Sequence, residues 1–292
     1  MKKSYLYAIV TVLIWSTMAA TVKSMASDMP NMQLLAVSSY ISVIFLLGIN
    51  IATGKIAVMK TYKLKDYAIM IGLGFVGMFL YSALYYYGLS QITSQEACIV
   101  NYLWPLMLVI FSCIILKEEL TFMKIFGMFL SFVGVVILSL GSSTIAFSDA
   151  AMSGVTSCVI AAACYALYSV LNKKTDYDQH IFMMICWGVA AVGATIFGLA
   201  TEEWVPIQGI QWVGLTWIGA IVHAAAYLMW AIALKGTKNT AKIANIAYLT
   251  PVLSVGVSYI FLKEQLEPSA IFALLIILGS ILLQTIKDNE IH

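Results

Sequence analysis

The 292-residue sequence contains no arginine and little charge of any kind: Asp, Glu and Lys make up 10% of the chain, whereas 62% of its residues are hydrophobic. A soluble domain is usually about one quarter charged. So few charged side chains are not enough to build a surface facing water, and the composition excludes an ordinary soluble domain. We predict an all-α membrane protein that lies in a lipid bilayer and has no nucleic-acid partner.

Cysteine and histidine are also scarce, with five and three residues respectively. The cysteines all lie inside apolar stretches, with no CxxC pair and no metal-ligand spacing. An intramembrane enzyme would need a nucleophile–base pair or a metal cluster, and the chain has neither a Gly-x-Ser-x-Gly nor a HExxH motif. We therefore predict no enzyme activity, no metal and no cofactor, and keep an intramembrane enzyme only as a distant alternative.

Long apolar stretches take the place of those charges. Each has roughly 20 residues, the length that a helix needs to cross a bilayer, and we number them in chain order as the first to the tenth span. The predicted spans are 5–26, 31–52, 67–89, 93–115, 121–140, 150–171, 179–200, 208–233, 240–262 and 267–286. The first span has a short basic lead but no small-residue cleavage pattern, so we expect it to be retained as a helix.

The lysines predict how these spans are oriented. If the N-terminus is cytoplasmic, fourteen of the sixteen lysines lie on the cytoplasmic side, and only Lys23 and Lys263 lie on the other. Membrane proteins place their positive loops inside in this way. We predict a multi-pass protein of the cell's inner (plasma) membrane with both termini in the cytoplasm.

The second half of the sequence repeats the first at an offset of 146, half of 292. The segment Tyr102-Leu103-Trp104-Pro105-Leu106 corresponds to Tyr248-Leu249-Thr250-Pro251-Val252. Likewise, Leu116-Lys117-Glu118-Glu119-Leu120 corresponds to Leu262-Lys263-Glu264-Gln265-Leu266. We predict two repeats, at 1–142 and 148–292, joined by a polar linker.

Five spans per repeat is an odd number, so the second repeat must enter the membrane in the opposite orientation. Inverted repeats of this kind form two gates around one central site in secondary transporters. The arrangement therefore indicates transport of a small molecule, whereas the alternative is an old duplication kept for stability alone.

Two prolines occupy equivalent places in the fourth and ninth spans. Pro105 and Pro251 cannot donate to the helix ladder, and each ring clashes with the carbonyl four residues earlier. We expect kinks that free the carbonyls of Asn101 and Ala247 to meet a substrate ammonium or hydroxyl. The alternative is a packing kink whose carbonyl is satisfied by a neighbouring Ser, Thr or water.

The eighth span carries a stripe of large side chains with polar tips. At about 100° per residue, His223, Tyr227 and Trp230 fall within roughly a 60° arc, beside several alanines. An ionisable group within a membrane span indicates a functional site, although His223 could also be a neutral side chain bonded to a backbone carbonyl. Comparable stripes include Trp15 in the first span and Tyr165 in the sixth.

Acidic residues are nearly absent from the spans. Glu96, near the outer end of the fourth span, could attract an ammonium in an outer vestibule or cap the start of its helix. No acid lies at the centre of a span, which favours a neutral or zwitterionic cargo over a carboxylate-driven exchange of cations. We predict that Glu118 and Glu119 are solvated turn charges that pair locally and have no substrate role.

The doubled ten-helix unit and the Lys-Glu-Glu and Lys-Glu-Gln junctions resemble the EamA branch of the drug/metabolite transporter superfamily over the whole chain. The runs at 13–18, 100–105 and 248–254 are similar to those of its YddG-type aromatic amino acid exporters, and Asn101-Tyr102-Leu103-Trp104-Pro105 is the most specific. Two features differ from that pattern: the sixth span has no Trp near Tyr165, and Ala231 stands where a polar side chain is expected.

The resemblance implies a basket-like fold with a central cavity and export of aromatic amino acids by alternating access. In this picture aromatic side chains provide stacking surface, while Asn101 and His223 orient the polar end of the cargo. The predicted substrate-binding residues are Trp15, Asn101, Tyr102, Trp104, Tyr165, His223, Tyr227, Trp230 and Tyr248. The remaining alternative is transport of quaternary ammonium compounds by cation–π contact, and we expect a monomer or a weak homodimer.

Overall fold

The computed structural model describes residues 2–25, 29–91, 97, 100–119, 121–140, 149–263, 271–272 and 275–279. All the regular structure in this part of the chain is helical. Large apolar side chains such as Ile44, Ile114, Ile196 and Ile260 are exposed on the outside. In water this surface would be unfavourable, so it is the surface that contacts lipid.

Several of the predicted spans consist of more than one helical segment. The first contains Lys2–Trp15 and Met18–Met25, and the second is Asn31–Ala52, followed by a short 3₁₀ helix, Lys55–Thr61. The third span contains Leu64–Gly74, Phe75–Leu80 and Tyr81–Gln91, and the eighth contains Gly209–Thr216, Trp217–Ala226 and Tyr227–Lys235. The ninth contains Thr240–Ile246 and Leu249–Leu262. Single helices describe the fourth to seventh spans: Trp104–Ile115, Phe122–Leu140, Asp149–Lys174 and Gln179–Thr201.

Seven of the spans are long and apolar enough in the described residues to cross a membrane: the first, second, third, sixth, seventh, eighth and ninth. The fourth span appears as the shorter apolar helix Trp104–Ile115, and the apolar stretch Ile125–Gly134 within the helix of the fifth span is also shorter. Most of the tenth span lies outside the described residues. The chain is a multi-pass, all-helical membrane protein, while the count of ten stays a prediction.

Irregular helix geometry occurs at corresponding positions in the two halves. Phe75–Leu80 in the third span and Trp217–Ala226 in the eighth are both π-helical. Lys117 and Lys263, which are 146 residues apart, are the two non-glycine residues with positive φ in the described chain, at 57° and 54°. The duplication seen in the sequence is therefore matched in the backbone.

The second and seventh spans pack side by side in antiparallel directions. At one end, the Glu202 carboxylate accepts hydrogen bonds from the backbone N–H of Met32 at 3.1 and 3.0 Å. At the opposite end, Lys55 Nζ lies 2.8 Å from the Asp178 carboxylate. At the repeat offset of 146 residues, Asp178 corresponds to Met32, and Glu202 corresponds to the position one residue after Lys55. The two end contacts are thus reciprocal.

Two glycines show the same reciprocity. A Cβ at Gly74 would lie 2.7 Å from Cys186 Cα, and one at Gly219 would lie 2.7 Å from Ile41 Cβ. At an offset of 145 residues, Gly74 corresponds to Gly219, and Ile41 corresponds to Cys186. Glycine at these two positions lets the third and eighth spans approach the seventh and second closely.

Span ends that the lysines place on one side of the membrane contact one another. Tyr177 OH donates to Asp66 Oδ1 at 3.1 Å, Lys235 Nζ donates to the Thr175 carbonyl, and Lys173 pairs with Glu118. We call this the lysine-rich end. These contacts join span ends that the lysines predict to lie on one side of the membrane. The packing is therefore consistent with the predicted orientation of the spans.

Candidate aromatic binding site

Five predicted site residues meet in the interior. Trp15, Trp104, Tyr165, Tyr227 and Trp230 come from the first, fourth, sixth and eighth spans, and we call them the central aromatic cluster. The Trp104 ring centroid lies 5.0 Å from that of Tyr165 and 5.5 Å from that of Trp230. The Trp15 ring lies 5.1 Å from Tyr227 and 5.2 Å from Trp230. These separations are typical of interacting aromatic rings.

The cluster is shielded from the outside and belongs to both halves of the chain. Trp104, Tyr165 and Trp230 are buried, with exposures of 4%, 2% and 2%, while Trp15 and Tyr227 are half-buried. Most of the Trp104 contacts are edge-on, with interplanar angles above 80° to Trp15, Tyr165 and Trp230. The cluster therefore combines ring faces with ring edges.

His223 adjoins the cluster through a partner that the sequence analysis did not predict. Its ring stacks on Trp187 of the seventh span at 4.1 Å and 11°, and Trp187 also meets the edge of Tyr227 at 5.1 Å. His223 and Tyr227 remain 6.1 Å apart, although the π-helical turns between them alter the α-helical spacing used to group them. The stack therefore extends the cluster toward the seventh span.

Several buried polar atoms around the cluster lack a hydrogen-bond partner within the described protein. They are Trp15 Nε1, Asn101 Oδ1, Trp187 Nε1, His223 Nδ1 and Trp230 Nε1. His223 Nδ1 makes no hydrogen bond to a backbone carbonyl. The alternative of a histidine bonded to a carbonyl therefore has no support at this atom. The Asn101 Nδ2 group faces Tyr81 OH at 3.4 Å, and the Tyr81 ring lies 4.9 Å from Tyr165. Unpaired buried polar groups are rare in folded proteins and require an explanation.

Tyr102 and Tyr248 contact each other, with ring centroids 6.3 Å apart. They are 146 residues apart in the chain, so they are repeat mates that meet in space. Each lies where its span is interrupted: one helix resumes at Trp104 and the other at Leu249. A contact between equivalent residues marks the place where the two halves meet.

Pro105 and Pro251 lie in the first turn of the helices after these interruptions, and both are buried. The interruptions themselves match the predicted kinks. However, the prediction that the Ala247 carbonyl is free is wrong, because it accepts a hydrogen bond from the Thr250 backbone N–H at 3.0 Å. The chain tightens into a 3₁₀-type turn there and satisfies its own carbonyl.

A further interruption lies in the first span, directly after Trp15. Ser16 and Thr17 separate the two helices of that span, and their hydroxyls donate to the Leu13 and Ile14 carbonyls at 2.7 Å. Such local bonds compete with the helix ladder. Nearby, Thr11 Oγ1 donates to the Ala226 carbonyl at 3.1 Å, at the end of the π-helical segment, which ties the first span to the eighth beside the cluster.

The Glu118 carboxylate joins three segments at the lysine-rich end. It accepts from Lys173 Nζ at 2.6 Å, from Thr240 Oγ1 at 2.6 Å and from the Thr240 backbone N–H at 3.0 Å. The Lys173 and Glu118 side chains are only 11% and 15% exposed. The prediction of a solvated charge that pairs locally is therefore wrong for Glu118, because it binds the end of the sixth span and the start of the ninth. Glu96 lies outside the described residues.

Asp178 forms a second charged group at this end. Its side chain accepts from the backbone N–H groups of His180 and Ile181, which caps the seventh span, and it pairs with Lys55 at 2.8 Å. Burial alone would raise the pKa of this carboxyl, but the hydrogen bonds from Lys55 and His180 lower it more, so its pKa lies below the usual range.

Trp187 and Tyr81 are candidate site residues that the sequence did not predict. One signal for Trp187 was available: it lies well inside an apolar span, whereas tryptophan gathers at the membrane interfaces. Its neighbours offered no second polar residue on the same face. Only the packing of the seventh span against the eighth shows that Trp187 faces His223.

Comparison with known proteins gives a single family. The EamA-like transporter family matches residues 2–140 and again residues 152–286. The uncharacterized transporter YvbV of Bacillus subtilis is 27% identical over 244 residues, which cover 80% of this chain and 78% of that protein. The aromatic amino acid exporter YddG of Ancylobacter novellus is 26% identical over 247 residues, which cover 83% of each protein.

A protein of known crystal structure has the same fold. It superposes with a TM-score of 0.89 at 22% sequence identity, and the superposition covers 100% of this chain and 99% of that chain. At this identity the likeness establishes the fold alone.

Proposed function

Because the chain belongs to the EamA-like transporter family, we propose that it is a secondary transporter that exports aromatic amino acids across the plasma membrane. The central aromatic cluster carries this proposal. Its five rings are drawn from both halves of the chain, and three of the contacts among them have centroids 5.0–5.5 Å apart. They gather in one place the ring faces and edges that an aromatic cargo packs against. The relative that is an aromatic amino acid exporter supports the same cargo.

The proposed mechanism is alternating access by two inverted repeats of five spans each. Reciprocal contacts between the second and seventh spans, and the contact between Tyr102 and Tyr248, support a two-fold relation that lies in the membrane plane. The cluster then lies between two halves that can rock against each other. One chain supplies every ring of the cluster, so a monomer is the proposed unit of transport.

The Glu118–Lys173–Thr240 contact is the proposed closure at the lysine-rich, cytoplasmic end. It joins the fourth, sixth and ninth spans, which belong to both repeats. Opening toward the cytoplasm requires these spans to separate, and the charged contact must then break. The ion pair therefore stabilises the state that is closed on this side.

The direct test is efflux of labelled phenylalanine from liposomes that contain the purified protein. We expect efflux above that of empty liposomes, and about tenfold slower efflux for Trp104→Ala, because the substitution removes a ring that contacts three others. Trp212→Ala is the matched control, since Trp212 is 48% exposed and lies outside the cluster.

Liposomes that lose no aromatic amino acid faster than empty ones, in efflux and in counterflow, would refute the proposed cargo. Choline and tetraethylammonium belong in the same assay, because aromatic rings also bind quaternary ammonium groups through cation–π contact. Transport of these cations without transport of phenylalanine would replace the aromatic amino acid with an organic cation.

A further inference from the structure

The polar atoms around the cluster are mostly hydrogen-bond donors that lack an acceptor. Trp15, Trp187 and Trp230 each bury an unpaired indole N–H, and an indole can donate but cannot accept. Beside them Asn101 Oδ1 is an acceptor without a partner, and His223 Nδ1 donates or accepts according to its tautomer. Polar groups this deeply buried are costly unless they find a partner. A ligand that offers acceptor oxygens would supply one.

The Trp187–His223 stack is almost completely buried. Trp187 is 1% exposed and His223 is 3% exposed, and their parallel rings lie 4.1 Å apart. Tyr227 touches both rings and also touches Trp15 of the cluster. The stack therefore lies one ring away from the surface proposed to hold the aromatic part of the cargo.

The described part of this environment holds no buried formal charge. Among the residues whose burial the structure describes, no Asp, Glu or Lys is buried, and the buried polar residues are Ser, Thr, Asn, Gln and His223. Without a lysine or arginine, a carboxylate can be recognised only by neutral N–H and O–H donors. A zwitterion suits such a site because it brings its own counter-charge, whereas a single buried charge would remain uncompensated.

We propose that Trp187 Nε1 and His223 Nδ1, the latter as an N–H donor, bind the carboxylate of the transported amino acid and so determine its specificity. This inference rests on the proposed function, since it names the polar half of the same site. It predicts that the carboxylate is the group that the protein requires, and that an aromatic amine without it binds poorly.

The test compares phenylalanine with phenethylamine, which lacks the carboxylate, as competitors of labelled phenylalanine transport. For the wild-type protein we expect phenylalanine to compete at least tenfold better. In Trp187→Phe, which keeps a ring against His223 but removes the donor, that preference should fall about tenfold, the usual effect of losing one hydrogen bond to a charged group. An unchanged preference in this variant would overturn the inference.

Trp204→Phe is the matched control. Its indole Nε1 is also buried and unpaired, but Trp204 follows the seventh span, beside Gly198 and away from the cluster. The preference should not change in this variant. An equal loss in Trp204→Phe and Trp187→Phe would show a general effect of removing a buried indole, and the inference would be rejected.

Two further measurements separate the possible failures. If Trp187→Phe does not yield folded protein, His223→Phe keeps the aromatic stack and removes only the imidazole donor, and retention of the full preference there would reject the role of the pair. If the wild-type protein transports no aromatic amino acid at all, the proposed function fails, whatever the variants show.

Discussion

At the scale of single residues, polar side chains do two different kinds of work in this protein. Some, like Asp178 and Glu202, satisfy the exposed N–H groups at the start of a helix and hold span ends together. Others, like Trp187 and His223, have no partner within the described chain. The first kind is explained by structure alone, whereas the proposed binding site rests on the second kind.

Asp178 allows a test of its structural role through pH. Asp178→Asn should lower the stability of the folded protein by up to about 1 kcal/mol at neutral pH, because it removes the Lys55 ion pair, while asparagine caps a helix about as well as aspartate. The pKa of the folded carboxyl is lowered. Its contribution is therefore present above the unfolded pKa of about 3.9 and is lost as the pH falls through the lower, folded value.

Thermal unfolding in detergent at several pH values measures this effect. The gap between the wild-type protein and Asp178→Asn should close in acid. Asp176→Asn, at an exposed neighbouring position, should match the wild-type protein throughout. A gap that persists unchanged at the lowest pH at which the protein stays folded would contradict the assignment of Asp178.

At the scale of elements, close packing of spans depends on glycine at two equivalent positions. Gly74→Ala would place a methyl group 2.7 Å from Cys186 Cα, and Gly219→Ala would place one 2.5 Å from the Ser38 carbonyl oxygen. Backbone atoms cannot move aside as a flexible side chain does. Each substitution should therefore cost about 1–3 kcal/mol of stability and lower the midpoint of thermal unfolding.

Gly72→Ala is the control for this pair, because a Cβ at Gly72 would meet nothing within 4 Å. Alanine favours a helix over glycine by about 1 kcal/mol, so this variant should be as stable as the wild-type protein or more so. Equal losses of stability at Gly72 and Gly74 would contradict the assignment of the loss to close span packing, because a Cβ at Gly72 meets no neighbour.

The charged closure at the lysine-rich end can be tested by exchanging its charges. Glu118→Gln and Lys173→Gln should each destabilise the protein, by less than the about 3–5 kcal/mol of a fully buried pair, since 15% and 11% of the side chains remain exposed. The exchange Glu118→Lys with Lys173→Glu should restore only part of this stability. A lysine at 118 would face the Thr240 N–H, which donates to Glu118 at 3.0 Å.

Thermal unfolding of the two single variants and the exchanged pair separates the two contributions. Full recovery in the exchanged protein would mean that only the ion pair matters. No recovery would mean that the contact with the start of the ninth span dominates. The partial recovery predicted here requires both, as the geometry around Glu118 indicates.

The sequence predicts elements and individual site residues better than it predicts how they meet. Helical spacing was enough to nominate Trp15, Tyr165 and Tyr227, because each lies on a span whose apolar pattern is regular. Trp187 was missed, since nothing in the seventh span shows which of its faces meets the eighth. The same limit applies to Glu118, whose partners are 55 and 122 residues away. A local pattern cannot show such distant partners.

At the scale of the whole molecule, the contacts between the two halves argue for inversion rather than simple duplication. Two repeats of the same orientation would place equivalent span ends on the same face of the membrane. Here the end of the second span lies beside the start of the seventh, and the start of the second lies beside the end of the seventh. Corresponding positions in the two halves should therefore face opposite sides.

Ala57 and Glu203 test this relation directly, because they are 146 residues apart and both are exposed. In a background without the five native cysteines, Ala57→Cys should react with a membrane-impermeant maleimide only from the cytoplasmic side. Glu203→Cys should react with the maleimide added outside intact cells. Glu203 follows the end of the seventh span, which lies opposite the Lys55–Asp178 contact. Reaction of both cysteines from one side would contradict the inverted arrangement, and the two-gate mechanism would lose its structural basis even if the aromatic cluster still bound its cargo.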